Sequence, residues 1–237
     1  MLFSMTDPSA QKQVSMMFNA ISKSYDQVNR ILSFGIDQKW RKTLTEHLPE
    51  KKNLRLLDLA TGTCDQLLSL METEKIAEAL GIDLAQEMLA IGEKKVAATP
   101  YAEKVELKLA SALEIPSSDS SFDCVTISFG IRNVQGNCLQ EIFRVLAPGG
   151  KVLILEFSLP QNRLIRSLHL FYLRKILPAV GGWVSKEKSA YSYLNQTIES
   201  FPYGKDFLAL MEKEGFVDLR ALPLTFGVAT LYVGEKP

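Results

Sequence analysis

Apolar positions along the chain change their spacing repeatedly, and each change marks an element. Val14, Met17, Phe18, Ile21, Tyr25, Val28, Ile31 and Leu32 recur at helical intervals. Gly35 interrupts them, and Trp40 to Leu48 predicts a second helix, stopped before Pro49. Residues 1–12 are polar and are expected to be loose. Leu56, Leu57 and Leu59 form a run short enough for a buried strand, broken by Thr61-Gly62-Thr63. Leu67, Leu68, Leu70 and Met71 then return at helical spacing. Ala79 to Asp83, Val105 to Leu109 and Cys124 to Phe129 predict three more strands, the last rich in β-branched residues. Helices are expected over Leu84 to Val96 and Leu139 to Leu146, the latter ended by Pro148-Gly149-Gly150. Lys151 to Phe157 is the fifth strand. This alternation predicts an α/β fold with a doubly wound, largely parallel sheet.

The pattern then departs from plain alternation. Leu164, Ile165, Leu168, Phe171, Tyr172, Ile176 and Leu177 make an apolar face with Arg163, Arg166, Arg174 and Lys175 among them. Pro178, Gly181 and Gly182 are expected to stop it, and Tyr191, Tyr193 and Leu194 follow. Residues 160–202 read as an inserted helical cap, which either packs as ordinary core or forms a greasy pocket that touches lipid. Phe207 to Lys213 is a helix stopped near Gly215. Phe216 to Leu222 and Val228 to Val233 are closing strands, the second expected to run antiparallel.

The chemistry gathers where the first strand ends. Asp58 sits at its carboxyl end, the ligand side of such sheets. Gly62 lets a ligand approach the backbone, and the helix that follows offers free N–H groups. Asp83 ends the next strand 25 positions later, where an acid can accept both hydroxyls of an adenosine ribose. The G-x-G-x-x-G of NAD-binding chains is absent. D-x-A-x-G-T with a later strand-end acid resembles the Rossmann-like class I S-adenosylmethionine (SAM)-dependent methyltransferases, which implies a seven-stranded sheet and SAM as co-substrate. The N-terminal helices either pack on the sheet edge or close over the cofactor, with Tyr25 and Asp26 facing it.

Phe18 to Trp40, LLDLATGTCD, SFDCVTISFGIRNV, RVLAPGGKVLILEFSLP and SAYSYL together resemble the quinol-ring C-methyltransferases of menaquinone and ubiquinone biosynthesis. The resemblance covers nearly the whole chain. It implies methyl transfer from SAM to a ring carbon of a 2-polyprenyl hydroquinone, a demethylmenaquinol or the equivalent benzoquinol. By position it places SAM contacts on Thr63, Asp83, Ser111, Ala112 and Ser128, beside Asp58 and Gly62. This chain has Cys64 where the family usually has glycine and Ser111 where it has asparagine. Cys64 reads as a tolerated substitution rather than a reactive thiol.

Such a carbon must be made electron-rich, so the reduced quinol is the expected acceptor. Arg132 and Asn133 lie where the cleft should be. Arg132 cannot act as base but can stabilise a phenolate and polarise a water that Asn133 orients. Tyr25 would position the ring, and Asp26 is a candidate base. A salt bridge to a nearby acid is the alternative reading of Arg132. His169 and Tyr172 could also face the acceptor.

Composition removes other classes. The chain has 237 residues, 46% hydrophobic and 23% charged, with Lys plus Arg equal to Asp plus Glu. That balance gives no field to recruit nucleic acid. It suits one methyltransferase domain over 1–237, with lid helices (14–48), SAM-binding core (54–157), cap (160–202) and closing helix and strands (203–237). Three cysteines without C-x-x-C fit a reducing compartment, and two histidines outside any ligand pattern suggest no metal. No apolar run is long enough to span a membrane and no secretory signal is seen. A cytoplasmic enzyme is expected, peripheral to the inner membrane when a polyprenyl tail draws it to the bilayer surface. A homodimer is compatible with the sequence. Two other readings stand beside this one: a SAM enzyme acting on another small apolar acceptor, and a non-catalytic SAM-binding scaffold of a quinone-pathway complex.

Overall fold

The computed structural model describes residues 8–134, 136–179 and 188–237. Seven strands form one sheet: β1 (Leu54–Leu59), β2 (Ile76–Asp83), β3 (Val105–Leu109), β4 (Phe122–Ser128), β5 (Leu146–Phe157), β6 (Val217–Leu224) and β7 (Ala229–Glu235). Their order is β3-β2-β1-β4-β5-β7-β6. β3, β2, β1, β4 and β5 run parallel, and β7 pairs antiparallel with both β5 and β6. The order reverses at β1, between β2 and β4, which opens a crevice at the carboxyl ends of those strands.

Alternate residues feed two cores. Leu57, Leu59, Ile82, Val125, Ile127 and Ile154 pack beneath α5 (Cys138–Val145) and the closing helix α8 (Lys205–Lys213). Leu56, Cys124, Leu153 and Leu155 pack on the other face with Leu67 and Leu70 of α3 (Asp65–Met71) and Trp40 of α2 (Ile36–Thr43). α4 (Gln86–Ala97) links β2 to β3. A third cluster joins Ile21 and Val28 of α1 (Pro8–Leu32) to Leu173 and Leu177 of the cap and Ile198 of α7 (Lys188–Ser200).

Three boundaries differ from expectation. Residues 8–12 are helical, with Pro8 at the first helical position, where a missing N–H costs nothing. β5 begins at Leu146, and Pro148-Gly149-Gly150 does not break the sheet. Gly149, at φ 72°, donates to Lys236 O, and Lys236 N donates to Gly150 O, so pairing with the chain beyond β7 carries the strand through. In the cap, α6 (Arg163–Phe171) runs into a π turn, Tyr172–Ile176, and helical backbone continues through Pro178 to Ala179. The wider turn just before Pro178 suits a residue that cannot donate the regular helical bond. Gly181 and Gly182 lie outside the described residues, as does the side chain of Tyr191.

Candidate active site

The turn after β1 is built from its own polar side chains. Thr61 Oγ1 donates to Asp58 Oδ2 at 2.7 Å, and Thr126 Oγ1 donates to Oδ1 at 2.6 Å. Asp58 is only 1% exposed and supports the turn from below, where burial pushes its pKa up to about 6. Gly62, at φ 57°, donates its N–H to Asp83 Oδ2 at 2.8 Å, and Ala85 N donates to Oδ1 at 2.8 Å. Desolvation at the cavity wall raises the pKa of Asp83 against those two bonds. Cys64 also sits at positive φ, 67°, and its sulfur fills the space left by Gly92 of α4. Burial pushes its thiol up to about 12, so it is not a poised nucleophile.

Above the turn lies a cavity of about 780 Å³ including its mouth, bordered by Gly62, Asp83, Ser111, Ala112, Ser128 and Asn133. That size falls in the range of small-molecule sites. Asn133 Oδ1 is buried there without a partner. Gly130 closes the floor so tightly that a Cβ would stand 2.7 Å from Ala60 Cβ. These features suit a nucleoside with a polar tail. Six of the expected cofactor residues converge on the turn and its cavity, whereas Asp58 acts beneath them. Ser128 Oγ also donates to Gln66 Oε1 at 3.1 Å.

α1 lies across this cavity and is fastened to the turn by charge. Asp26 accepts from Thr63 Oγ1 at 2.7 Å and pairs with Lys95 at 2.6 Å, and Lys95 pairs with Asp65 at 2.6 Å. Arg30 reaches Asp65 at 3.1 Å. Burial works against the charge on Lys95, but its two acids outweigh that and hold its pKa above the usual value. Asp26, the sequence-predicted base, lines neither large cavity and is held instead by Thr63 and Lys95.

A second cavity, about 1000 Å³, opens between α1, α2 and the cap. Phe18, Tyr25 and Phe129 border both cavities and form the wall between them. The second is mostly apolar, yet Arg41 Nε, Arg132 Nε, His169 Nε2 and Tyr193 Oη on its lining are buried without hydrogen-bond partners. Burial keeps Tyr25 protonated by raising its pKa and lowers that of His169, leaving a neutral imidazole. Arg132 is 5% exposed and pairs with Glu156 at 2.6 Å, and it also donates to Phe129 O. The salt bridge that was the alternative reading of Arg132 is therefore present, although Arg132 also lines the second cavity and its Nε has no partner. Asn133, its neighbour, lines the first.

Arg41 and Glu156 escaped the sequence reading. Glu156 was legible as an acid inside the apolar run KVLILEF, which demands a buried cation. Arg41 follows Trp40 on a polar helix, and only the helix's tilt under α1 reveals it as a cavity residue.

The ubiE/COQ5 methyltransferase family model matches residues 5–236. The ubiquinone/menaquinone biosynthesis C-methyltransferase UbiE of Geotalea daltonii is 44% identical, over 95% of this chain and 97% of its own. The demethylmenaquinone methyltransferase of Thermus thermophilus is 42% identical, over 93% of this chain and all of its own. Among solved structures, a SAM-dependent methyltransferase of Thermotoga maritima, a possible histamine N-methyltransferase by its description, superposes with a TM-score of 0.64 at 19% identity, covering 94% of this chain and 99% of that one. A Haemonchus contortus phosphoethanolamine N-methyltransferase 2 bound to SAM gives 0.62 at 18%, covering 82% of this chain and 51% of its own. The last two share the fold alone. The chain belongs to the ubiE/COQ5 methyltransferase family and is a SAM-dependent methyltransferase.

Proposed function

We propose that the protein transfers a methyl group from SAM to a ring carbon of a reduced polyprenyl quinol. Its family makes it a C-methyltransferase of menaquinone or ubiquinone biosynthesis. The observation that carries the acceptor is the second cavity. It is an apolar chamber with unpartnered polar atoms, separated from the nucleoside cavity by a wall of aromatic side chains. A flat ring with two hydroxyls matches that lining.

Asp83 keeps lone pairs for ribose hydroxyls, Ser111 and Ala112 border the adenine end, and Gly62, Thr63 and Ser128 border the methionine end. When bound, the donor supplies a sulfonium methyl for in-line displacement, so the protein's task is alignment. Tyr25 and Phe129 position the ring against that methyl. The hydroxyl proton passes to His169 Nε2, Arg132 Nε stabilises the oxygen left behind, and His169 returns its proton to that oxygen once the ring is aromatic again. The ring carbon forms its bond to the methyl while the broken bond's electron pair stays on sulfur. Loss of the ring hydrogen as a proton, to water that Asn133 orients, restores the aromatic ring. The polyprenyl tail leaves through the cap, which brings this cytoplasmic enzyme to the bilayer surface.

The test is an acceptor assay with short-chain naphthoquinol and benzoquinol, SAM, and mass analysis of the ring. Transfer to the reduced ring and none to the quinone is expected. No transfer to either quinol, with SAM bound, would overturn the acceptor and favour the scaffold reading.

A further inference from the structure

Arg41 is 9% exposed, and among the described residues no carboxylate comes within ion-pair distance of its guanidinium. Asp37, one helical turn earlier on α2, turns instead to Ser33 Oγ at 2.7 Å and to Arg30 at 3.9 Å. The guanidinium stacks over the Phe129 ring, 5.3 Å from its centroid. Phe129 packs on Phe157 at 4.5 Å between centroids, and Arg132 lies over the Phe157 ring at 5.4 Å. Each ring of the pair thus carries a guanidinium. The two differ in one respect: Arg132 is ion-paired with Glu156, whereas Arg41 makes no ion pair among the described residues and feels only the longer-range charge of buried Asp58, which lines the small cleft with it.

A buried guanidinium without a counter-charge is costly, and proteins keep one where a ligand supplies the charge. Arg41 borders the acceptor cavity and also the small cleft beneath the glycine turn. Its Nε is buried and unpartnered. We propose that Arg41 forms an oxyanion subsite in the acceptor cavity, which binds the deprotonated oxygen of the quinol ring. The proposal rests on the quinol reading above. It adds a residue outside the expected site set and separates two roles. Arg132, neutralised by Glu156, is a fixed donor. Arg41, free of any ion pair and with an unpartnered Nε, offers a cation that draws an anion into an otherwise apolar chamber. The other anion within reach is the donor's α-carboxylate, on the side of the small cleft. The ring oxygen is favoured because the guanidinium lies on the face of Phe129, the wall against which the ring must rest.

The probes are 2-hydroxy-1,4-naphthoquinone, an anion at neutral pH, and 1,4-naphthoquinone, neutral and of nearly the same shape. Wild-type protein should bind the anion tighter, by calorimetry or fluorescence quenching. No preference in the wild type would overturn the subsite, whatever the variants do. Arg41→Met should lose about tenfold or more for the anion, with the neutral probe and S-adenosylhomocysteine bound as before. Arg41→Lys should regain part of the loss. Retained S-adenosylhomocysteine affinity and a cooperative melting transition in each variant separate a lost subsite from unfolding. A loss confined to S-adenosylhomocysteine, with 5′-methylthioadenosine unaffected, would place the donor's carboxylate on Arg41 and overturn the acceptor assignment. Wild-type protein that prefers the anion yet methylates no quinol would defeat the acceptor reading while leaving the subsite intact.

Discussion

Single residues in this protein are chosen in pairs. Cys64 occupies a left-handed backbone position, and its sulfur fits because Gly92 has no side chain: a Cβ there would stand 2.5 Å from Sγ. Gly92→Ala should therefore destabilise the protein by roughly 1–3 kcal/mol through overpacking. In a Cys64→Gly background the same change should be neutral, or stabilising by up to about 1 kcal/mol as a helix substitution. Urea unfolding of the four proteins measures the coupling, and equal costs in both backgrounds would uncouple the two sites. Asp58 gives a pH signature. Its pKa rises from 3.8 to about 6 on folding, chiefly through burial, so the folded state holds the proton more tightly. Its contribution to stability is full below about pH 4 and is lost as pH rises through about 6. The difference is worth roughly 3 kcal/mol. Asp58→Asn should lack that fall. Unfolding free energies of the two proteins, compared between pH 4 and pH 7, should converge or cross by about that amount; parallel curves would count against it. Comparing the pair cancels the contribution of Asp83, which has the same sign.

Among the elements, α6 presents two faces to two solvents. His169 and, in the π turn that continues it, Tyr172 and Leu173 line the acceptor cavity. Leu164, Leu168 and Phe171 are 70, 62 and 59% exposed, four and three residues apart on one face. Arg163 precedes Leu164 in the chain and is exposed, and Arg174 in the π turn is paired with Glu199. An apolar stripe with basic neighbours suits the surface of an anionic bilayer, and the other face of the same helix opens on the chamber that a lipid-borne ring must reach. Wild-type protein should co-sediment with anionic vesicles loaded with quinol. Leu168→Ser should weaken this about fivefold, from roughly 1 kcal/mol of lost apolar burial. Absence of sedimentation by the wild type would remove bilayer contact from the account. The exposure of this stripe could not be read from the chain. Leu164 and Leu168 share their helical period with Leu173 and Leu177, which are buried, and periodicity alone does not say which apolar residues find a partner.

For the molecule as a whole, the alternation of strands and helices, and the crevice it implies, were legible because each strand announces itself by a short apolar run and each crossover by a helical one. The glycine turn and Asp83 were legible for the same reason, as strand ends that the sheet's topology brings together, whereas Ser111 and Ser128 were named by the family resemblance. What stayed hidden depends on contacts between distant elements. Arg132 meets Glu156 across the β4–β5 pairing, Asp26 turns to Lys95 on α4, and Arg41 becomes a cavity residue only once α1 lies over α2. No local pattern records those encounters. No helix among the described residues is long and apolar enough to cross a membrane. Phe18, Tyr25 and Phe129 stand between the two chambers and touch both. If the two chambers hold donor and ring as proposed, a substitution at any of these three positions would loosen or tighten both grips at once, so selectivity for the ring alone would have to be set on the cap side of the second chamber.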